Sequence, residues 1–186
     1  LKNTGLTVQD CDAVAVAAGP GSFTGIRIGV SAAKGLAFAA DKPCAAVSTL
    51  EAMARNVAHM DALVVCAMDA RRSQIYNALF TSEHGRLTRR TPDRAIGLAE
   101  LAEELRSEPL PLVIVGDGAV LCEKALTEAG LPCRLAPPQL VMQNAMSVAL
   151  CAEDLARAGK LVSAQELLPV YLRPPQAQRL RQPPQI

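Results

Sequence analysis

Residues 19–25 have the composition of an anion-binding loop. They read Gly-Pro-Gly-Ser-Phe-Thr-Gly and lie between a short apolar run and a long helical pattern. At such a junction, free backbone N–H groups and the positive end of a helix dipole favour a bound phosphate. No Lys-Ser/Thr pair follows the glycines and the spacing is not Gly-x-Gly-x-x-Gly, so a simple tight turn is an open alternative. The candidate contacts are Gly19, Gly21, Ser22, Thr24 and Gly25.

Two other polar turns have residue types that are used in chemistry. Gly116, Asp117 and Gly118 lie between an apolar run and a helical pattern, where they would contact a nucleotide or simply form a tight turn. Asp69 begins Asp-Ala-Arg-Arg and has the chemistry of a general base or a metal ligand. At a hairpin, however, an aspartate that bonds its own turn backbone is the favoured interpretation.

The sequence offers no catalytic or metal-binding pattern. The six cysteines include no Cys-x-x-C pair, and the two histidines, His59 and His84, lie near none of them in the chain. We therefore predict no catalytic residue and no metal ion. The cysteines read as free, structural thiols of a reducing compartment.

The helical pattern after the loop carries small residues four positions apart, at Gly25, Gly29 and Ala33. Residues with this spacing share one face of a helix, and glycine there is tolerated where another backbone approaches closely. That backbone belongs either to the chain's own sheet or to a second subunit, and the pattern alone does not separate the two. The candidate interface residues are Ile26, Gly29, Val30, Ala33 and Leu36.

Composition excludes several classes of protein. The chain has 186 residues, of which 50% are hydrophobic and 20% charged, and this balance is typical of a globular protein with a real core. The net charge of +1 provides no global attraction to nucleic acid or to a membrane surface. No apolar run is long enough to span a bilayer and no signal peptide is visible.

The hydrophobic periodicity predicts an α/β fold with a mixed sheet. Strands are expected over 13–18, 44–47, 63–68, 74–81, 112–115 and 133–136, with a weaker edge strand over 86–91. Helices are expected over 24–40, 48–58, 98–106, 119–129 and 145–158, capped by Thr24, Ser48 and Asn144. A proline-containing break near 107–111 predicts two lobes, 1–106 and 107–173, with a possible return of the C-terminal segment to the first. Residues 174–186 are expected to form a disordered tail.

Several of these motifs together resemble a known family. Residues 18–30, followed by Ala-Lys-Gly-Leu-Ala at 33–37, are similar to the signature of the TsaB (YeaZ) family of bacterial tRNA threonylcarbamoyladenosine biosynthesis proteins. The supporting motifs follow in family order at 47–50, 68–72, 116–118 and 169–173. The likeness covers nearly all of residues 1–173.

The resemblance implies a two-lobed fold like that of actin, sugar kinases and Hsp70, which is ribonuclease H-like, in a cytoplasmic bacterial protein. It implies a non-catalytic scaffold subunit of the complex that transfers threonylcarbamoyl to the adenosine 3′ of the tRNA anticodon. The implied partners are a TsaD-type catalytic subunit, a TsaE-type ATPase and a second copy of the chain. The subunit would meet tRNA only through the complex and would meet no membrane. No cofactor is expected on the subunit alone, whereas ATP or ADP is possible in the complex.

The front of the sequence departs from the family pattern. Family members begin with a strand carrying Asp-Thr-Ser/Thr, then further strands and a long helix, whereas Leu1 aligns near the end of that helix. We therefore expect an incomplete first lobe, which argues against a nucleotide site there. Two alternatives stay open: a nucleotide-binding enzyme of the sugar-kinase type, using loops 19–25 and 116–118, and an M22-type glycopeptidase homologue without the metal site.

Overall fold

Strands and helices alternate along most of the chain in the computed structural model, which describes residues 2–71 and 73–173. The strands are β1 (Val14–Gly19), β2 (Cys44–Ser48), β3 (Ala62–Asp69), β4 (Gln74–Glu83), β5 (Arg86–Arg89), β6 (Arg94–Gly97), β7 (Leu112–Val115) and β8 (Cys133–Leu135). The helices are α1 (Phe23–Ala40), α2 (Thr49–Arg55), α3 (Leu98–Glu104), α4 (Ala119–Glu128) and α5 (Ala145–Arg157). This architecture confirms the mixed α/β fold predicted from the sequence.

The first sheet consists of β1 and β2, which pair in parallel with Val14 opposite Cys44. Successive residues of β2 point to opposite faces of the sheet, because side chains alternate along a strand. Cys44 packs in a cluster with α1, whereas Ala45 and Val47 pack in a cluster with α5. The two strands are therefore covered by a helix on each face.

The second sheet has the order β5-β4-β3-β7-β8, and β6 also pairs with β4. Strand β3 is antiparallel to β4 and parallel to β7. Leu63 and Val65 pack with α3 and α4 on one face, whereas Val64 and Cys66 pack with α2 on the other. A strand buried on both faces needs an unbroken apolar sequence, which residues 62–68 supply.

Helix α2 lies between the two sheets. Its Met53 packs in the cluster that includes β3, and its Ala52 packs in the cluster that includes β2 and α5. Both side chains are fully buried. This one short helix therefore contributes to the core on both sides.

The predicted division into lobes at residues 106 and 107 does not follow the sheets. Residues 108–111 look like a linker because of their two prolines, but they lead directly into β7, which pairs with β3 from the other side of the predicted boundary. By sheet membership, the chain divides between α2 and β3 instead. Helix α5 lies beside β1, β2 and α2. The tail predicted over 174–186 falls outside the described residues.

Local capping explains where the helices begin. Ser22, and not the predicted Thr24, caps α1, since its side chain accepts a hydrogen bond from the backbone N–H of Gly25. Ser48 and Asn144 cap α2 and α5 as expected.

Strand β6 was not predicted, because four residues with no alternation become a strand only by pairing with β4. Among the residues that the structure describes, no helix has the length and apolarity needed to span a bilayer.

Candidate binding cleft

Strands β1, β3 and β7 end at one cleft between the two sheets. Its volume is about 660 Å³, and it is open to solvent. Ligands of open α/β sheets bind outside the carboxyl ends of the strands, so this position is the expected one for a site. The cleft is lined by Pro20, Gly21, Ser22, Phe23, Thr24, Met68, Asp69, Ala70, Arg71, Tyr76, Asp117, Val170, Tyr171, Leu172 and Arg173.

The loop after β1 forms one wall of the cleft. Gly19 has a φ of +133°, and a Cβ at this position would lie 2.3 Å from the carbonyl oxygen of Val170. Only glycine therefore permits both this backbone conformation and the close approach of the chain near residue 170. The next three residues lead directly to the start of α1, which Ser22 caps in place of the predicted Thr24.

The loop after β3 forms the opposite wall. The backbone N–H of Arg71 donates to Oδ1 of Asp69 over 2.6 Å. The backbone N–H of Asp69 in turn donates to Oδ1 of Asp117 over 3.1 Å. Both carboxylates therefore accept hydrogen bonds from backbone N–H groups, and the bond within the turn at Asp69 supports its structural interpretation over a general base.

The turn after β7 packs against the end of β3. Gly116 has a φ of +108°, and a Cβ there would lie 2.2 Å from the carbonyl oxygen of Ala67. The backbone N–H of Gly118 donates to the same oxygen over 3.0 Å. The turn thus brings Asp117 into the cleft, while Gly116 and Gly118 serve its close packing on β3. Of the residues predicted at the two glycine loops, Gly21, Ser22, Thr24 and Asp117 line the cleft.

A third wall, at residues 170–173, was not among the predicted site residues. The backbone N–H of Val170 donates to the carbonyl oxygen of Ala18 over 2.7 Å. The ring of Tyr171 lies 5.0 Å from that of Phe23, and Arg173 lines the cleft beside them. The signal that would have found this wall is the Pro-Val-Tyr-Leu-Arg motif at 169–173, which contributed only to the family resemblance.

The cleft combines opposite charges with exposed rings. Arg71 and Arg173 supply positive charge, and Asp69 and Asp117 supply negative charge. Phe23 and Tyr171 are each about two-fifths exposed at the rim, and the Arg27 guanidinium lies 5.2 Å from the Phe23 ring centre. Such a lining is suited to holding a polar ligand or a partner segment. In the described ranges, no group of three or more His, Cys, Asp or Glu side chains is placed to hold a metal ion.

The residues predicted for a subunit interface lie mostly in the chain's own core. Ile26, Val30 and Ala33 are buried against the first sheet. A Cβ at Gly29 would lie 3.7 Å from Cγ2 of Val16, so this glycine also faces β1. Of the five predicted positions, Leu36 alone is exposed. The small residues therefore allow α1 to lie close to β1. Of the two alternatives that the sequence left open, this is the approach of the chain's own sheet.

The opposite side of α1 is apolar and exposed. We call this surface the outer face of α1, and it comprises Ile28, Ser31, Ala32, Gly35, Leu36, Phe38 and Ala39. Ile28 is 66% exposed and Phe38 is 70% exposed. A contiguous apolar surface on a soluble domain commonly marks an interaction site. Sequence analysis missed it because α1 is apolar nearly all round.

The buried thiols lie away from the cleft. Burial raises the pKa of Cys66 and of Cys151 above the ordinary value, and it raises the pKa of Cys122 to about 12. A thiol that stays protonated at neutral pH is a poor nucleophile and a poor metal ligand. These cysteines therefore act as small core residues.

Several known proteins are similar in sequence to this chain. The model of the family described as TsaD, tRNA N6-adenosine threonylcarbamoyltransferase, matches residues 1–129. The tRNA threonylcarbamoyladenosine biosynthesis protein TsaB of Bacillus subtilis is 38% identical over 128 residues, which are 69% of this chain and 56% of that protein. The protein of the same name from Escherichia coli is 32% identical over 177 residues, which are 93% of this chain and 75% of that protein.

A solved structure has the same fold. It is an uncharacterized protein from Pseudomonas aeruginosa with similarity to peptidase YEAZ, and it matches with a TM-score of 0.79 at 26% identity. The match covers 92% of this chain and 78% of that one. This likeness confirms the ribonuclease H-like fold class that the sequence resemblance implied.

Proposed function

Because the chain belongs to the TsaB (YeaZ) family, we propose that it takes part in the biosynthesis of threonylcarbamoyladenosine in tRNA as a non-catalytic scaffold subunit. The observation that carries this proposal is the match to the Escherichia coli relative over 93% of the chain. In this proposal the subunit works in the cytoplasm, beside a TsaD-type catalytic subunit and a TsaE-type ATPase. It forms a homodimer when alone, and it meets tRNA only through the complex.

The chemistry of the cleft supports a non-catalytic role. Asp69 and Asp117 are the carboxylates in its lining, and each accepts a hydrogen bond from a neighbouring backbone N–H. A general base needs a lone pair directed at a substrate proton, whereas these oxygens hold the shape of two turns. We therefore assign both carboxylates to the architecture of the cleft.

The outer face of α1 supports a scaffold role. Ile28, Leu36 and Phe38 are each more than half exposed, and no acidic residue interrupts the face. Burial of such side chains contributes roughly 25 cal/mol for each Å² of apolar surface removed from water. We propose this face as the contact with the catalytic subunit in the complex and with a second copy in its absence.

The first experiment is a reconstitution of the reaction. The chain is combined with a TsaD-type subunit, a TsaE-type ATPase, substrates and tRNA, and threonylcarbamoyladenosine is measured by mass spectrometry of digested tRNA. We expect product only when this chain is present. Equal product formation without the chain would refute the proposed role.

The second experiment tests the interface with matched variants. Ile28→Asp places a charge on the outer face of α1, and Val120→Asp places one on α4 at nearly equal exposure, 67% against 66%. Because a buried unpaired charge is costly, Ile28→Asp should weaken co-purification of the catalytic subunit at least ~10-fold. Val120→Asp should leave it unchanged, and equal yields from both variants would contradict the interface.

One observation favours a second candidate function, which is nucleotide binding by the isolated chain. Residues 20–24 and Asp117 line the same cleft of about 660 Å³, as the sugar-kinase alternative requires. Calorimetry with ATP and ADP should then give micromolar binding, about −8 kcal/mol. Asp117→Ala should change that affinity, and an absence of heat with the wild-type chain would remove this candidate.

A further inference from the structure

Residues 163–173 run from the first sheet to the second without forming a helix or strand. We call this segment the strap. Just before it, Val162 makes an antiparallel bridge with Cys44 of β2, with N–O distances of 2.7 and 2.9 Å. The Nζ of Lys34 on α1 donates to the carbonyl oxygens of Gln165 and Leu167 over 3.0 and 3.2 Å. The start of the strap is therefore fixed to the first sheet and its helix.

The middle of the strap is fixed to the end of β1. Leu167 is buried in the cluster of α1 and β1. Val170 bonds the carbonyl oxygen of Ala18, and its own carbonyl oxygen occupies the space that a side chain at Gly19 would need. Up to residue 170, the strap is therefore anchored to the first sheet, with Ala164 and Leu167 buried and most of its other side chains exposed.

The far end of the strap crosses the cleft. Nη1 of Arg173 donates to the carbonyl oxygen of Ala70 over 2.7 Å, and Arg173 is half-buried. The other hydrogen bonds described for residues 69–71 outside the strand ladder come from the second sheet and from the loop itself: Ala70 and Arg71 with Gln74, Asp69 with Asp117, and Arg71 with Asp69. The Arg173 contact therefore ties this loop to the strap, which forms the third wall of the cleft.

We propose that Arg173 is a latch that sets the width of the cleft by holding the backbone of residues 69–71 against the strap. The donor is charged, and hydrogen bonds from ionised donors are stronger than neutral ones. The loop that it holds includes Arg71 at a φ of +63°, a conformation that a non-glycine residue keeps only where its surroundings impose it. When the latch is removed, the loop gains freedom to relax and the cleft widens. This inference does not depend on the proposed role in tRNA modification.

The experiment measures amide hydrogen exchange by NMR in the full chain. Arg173→Met removes the donors but keeps most of the aliphatic stem, and Arg173→Lys keeps a charged donor. We expect exchange at the amides of Ala70 and Arg71 to be at least tenfold faster in the Met variant. The Lys variant should lie between the Met variant and the wild type. Arg157→Ala, which removes an exposed ion pair with Glu153 on α5, serves as the matched control and should change neither amide.

The amides of residues 62–67 in β3 distinguish a local latch from a general loss of stability. They lie in the buried sheet and should exchange at the wild-type rate in every variant. Unchanged exchange at Ala70 and Arg71 in the Met variant would overturn the proposal. Equal acceleration of β3 and the loop, or a Lys variant as fast as the Met variant, would overturn it as well.

Discussion

Replacement of Gly116 by alanine tests whether the turn after β7 depends on close backbone packing. The new methyl group would lie 2.2 Å from the carbonyl oxygen of Ala67 and 2.8 Å from its carbonyl carbon. Both atoms belong to backbone inside β3, so neither moves without disturbing the sheet. The φ of +108° adds a second cost, because an alanine rarely adopts it.

The magnitude follows from the two costs. The backbone conformation contributes about 1–2 kcal/mol, and the steric overlap contributes about 1–3 kcal/mol. We therefore expect Gly116→Ala to lower the free energy of unfolding by about 2–5 kcal/mol. For a chain of this length, that loss corresponds to a fall in Tm of about 5–15 °C.

Gly130 provides the matched control. Its φ is +78°, but within the part of the chain that the structure describes, a Cβ there meets no heavy atom closer than 4 Å. Gly130→Ala should therefore show the conformational cost alone, about 1–2 kcal/mol. Urea denaturation with an unchanged m-value gives both differences. If the two variants unfold at the same urea concentration, the overlap with Ala67 does not govern this turn and the reasoning is refuted.

Two further predictions concern the core. Leu126 is fully buried between α4 and the second sheet, so Leu126→Ala should cost about 2–5 kcal/mol through lost burial and the cavity left behind. In the same urea assay, Leu121→Ala, at an exposed position of the same helix, should cost well under half as much. Burial raises the pKa of Cys122 to about 12, so the thiol keeps its proton in the folded state while the unfolded chain loses it near pH 9. The free energy of unfolding should fall as the pH rises from about 9 to about 12, and Cys122→Ala should reduce that slope.

The extent of α1 was predictable, but its orientation was not. The apolar run bounded by a capping residue and Asp41-Lys42-Pro43 predicts a helix that matches Phe23–Ala40 within one residue. A helix that is apolar nearly all round carries no periodic signal for the buried face. Packing against β1 decides it, and that contact is tertiary. Three of the five predicted interface positions, Ile26, Val30 and Ala33, are therefore buried inside the chain, and a role of the five in a subunit interface stays a prediction.

The cleft was predictable in its parts and not as a whole. Loop 19–25 and residues 116–118 are recognisable from glycine content and from their place between a strand and a helix. Val170 and Arg173 carry no such local pattern, and their place in the cleft comes from bonds to Ala18 and Ala70, far away in the chain. Likewise, Pro109 and Pro111 resemble a linker, and only the pairing of β7 with β3 shows otherwise.

The alternation of the chain between the two sheets has a consequence for folding during synthesis. The second sheet uses residues 62–135, a single continuous stretch whose central hairpin forms from local contacts. The first sheet uses residues 14–48; α1 covers one of its faces, but the other face is covered only by α5, which begins about a hundred residues later, and Leu167 joins the α1 face later still. Contacts of such high sequence separation form slowly. During synthesis on the ribosome, the second sheet can therefore form before the first sheet is fully covered. In that interval the apolar surface of β1, β2 and α1 is exposed, and a chaperone would bind there.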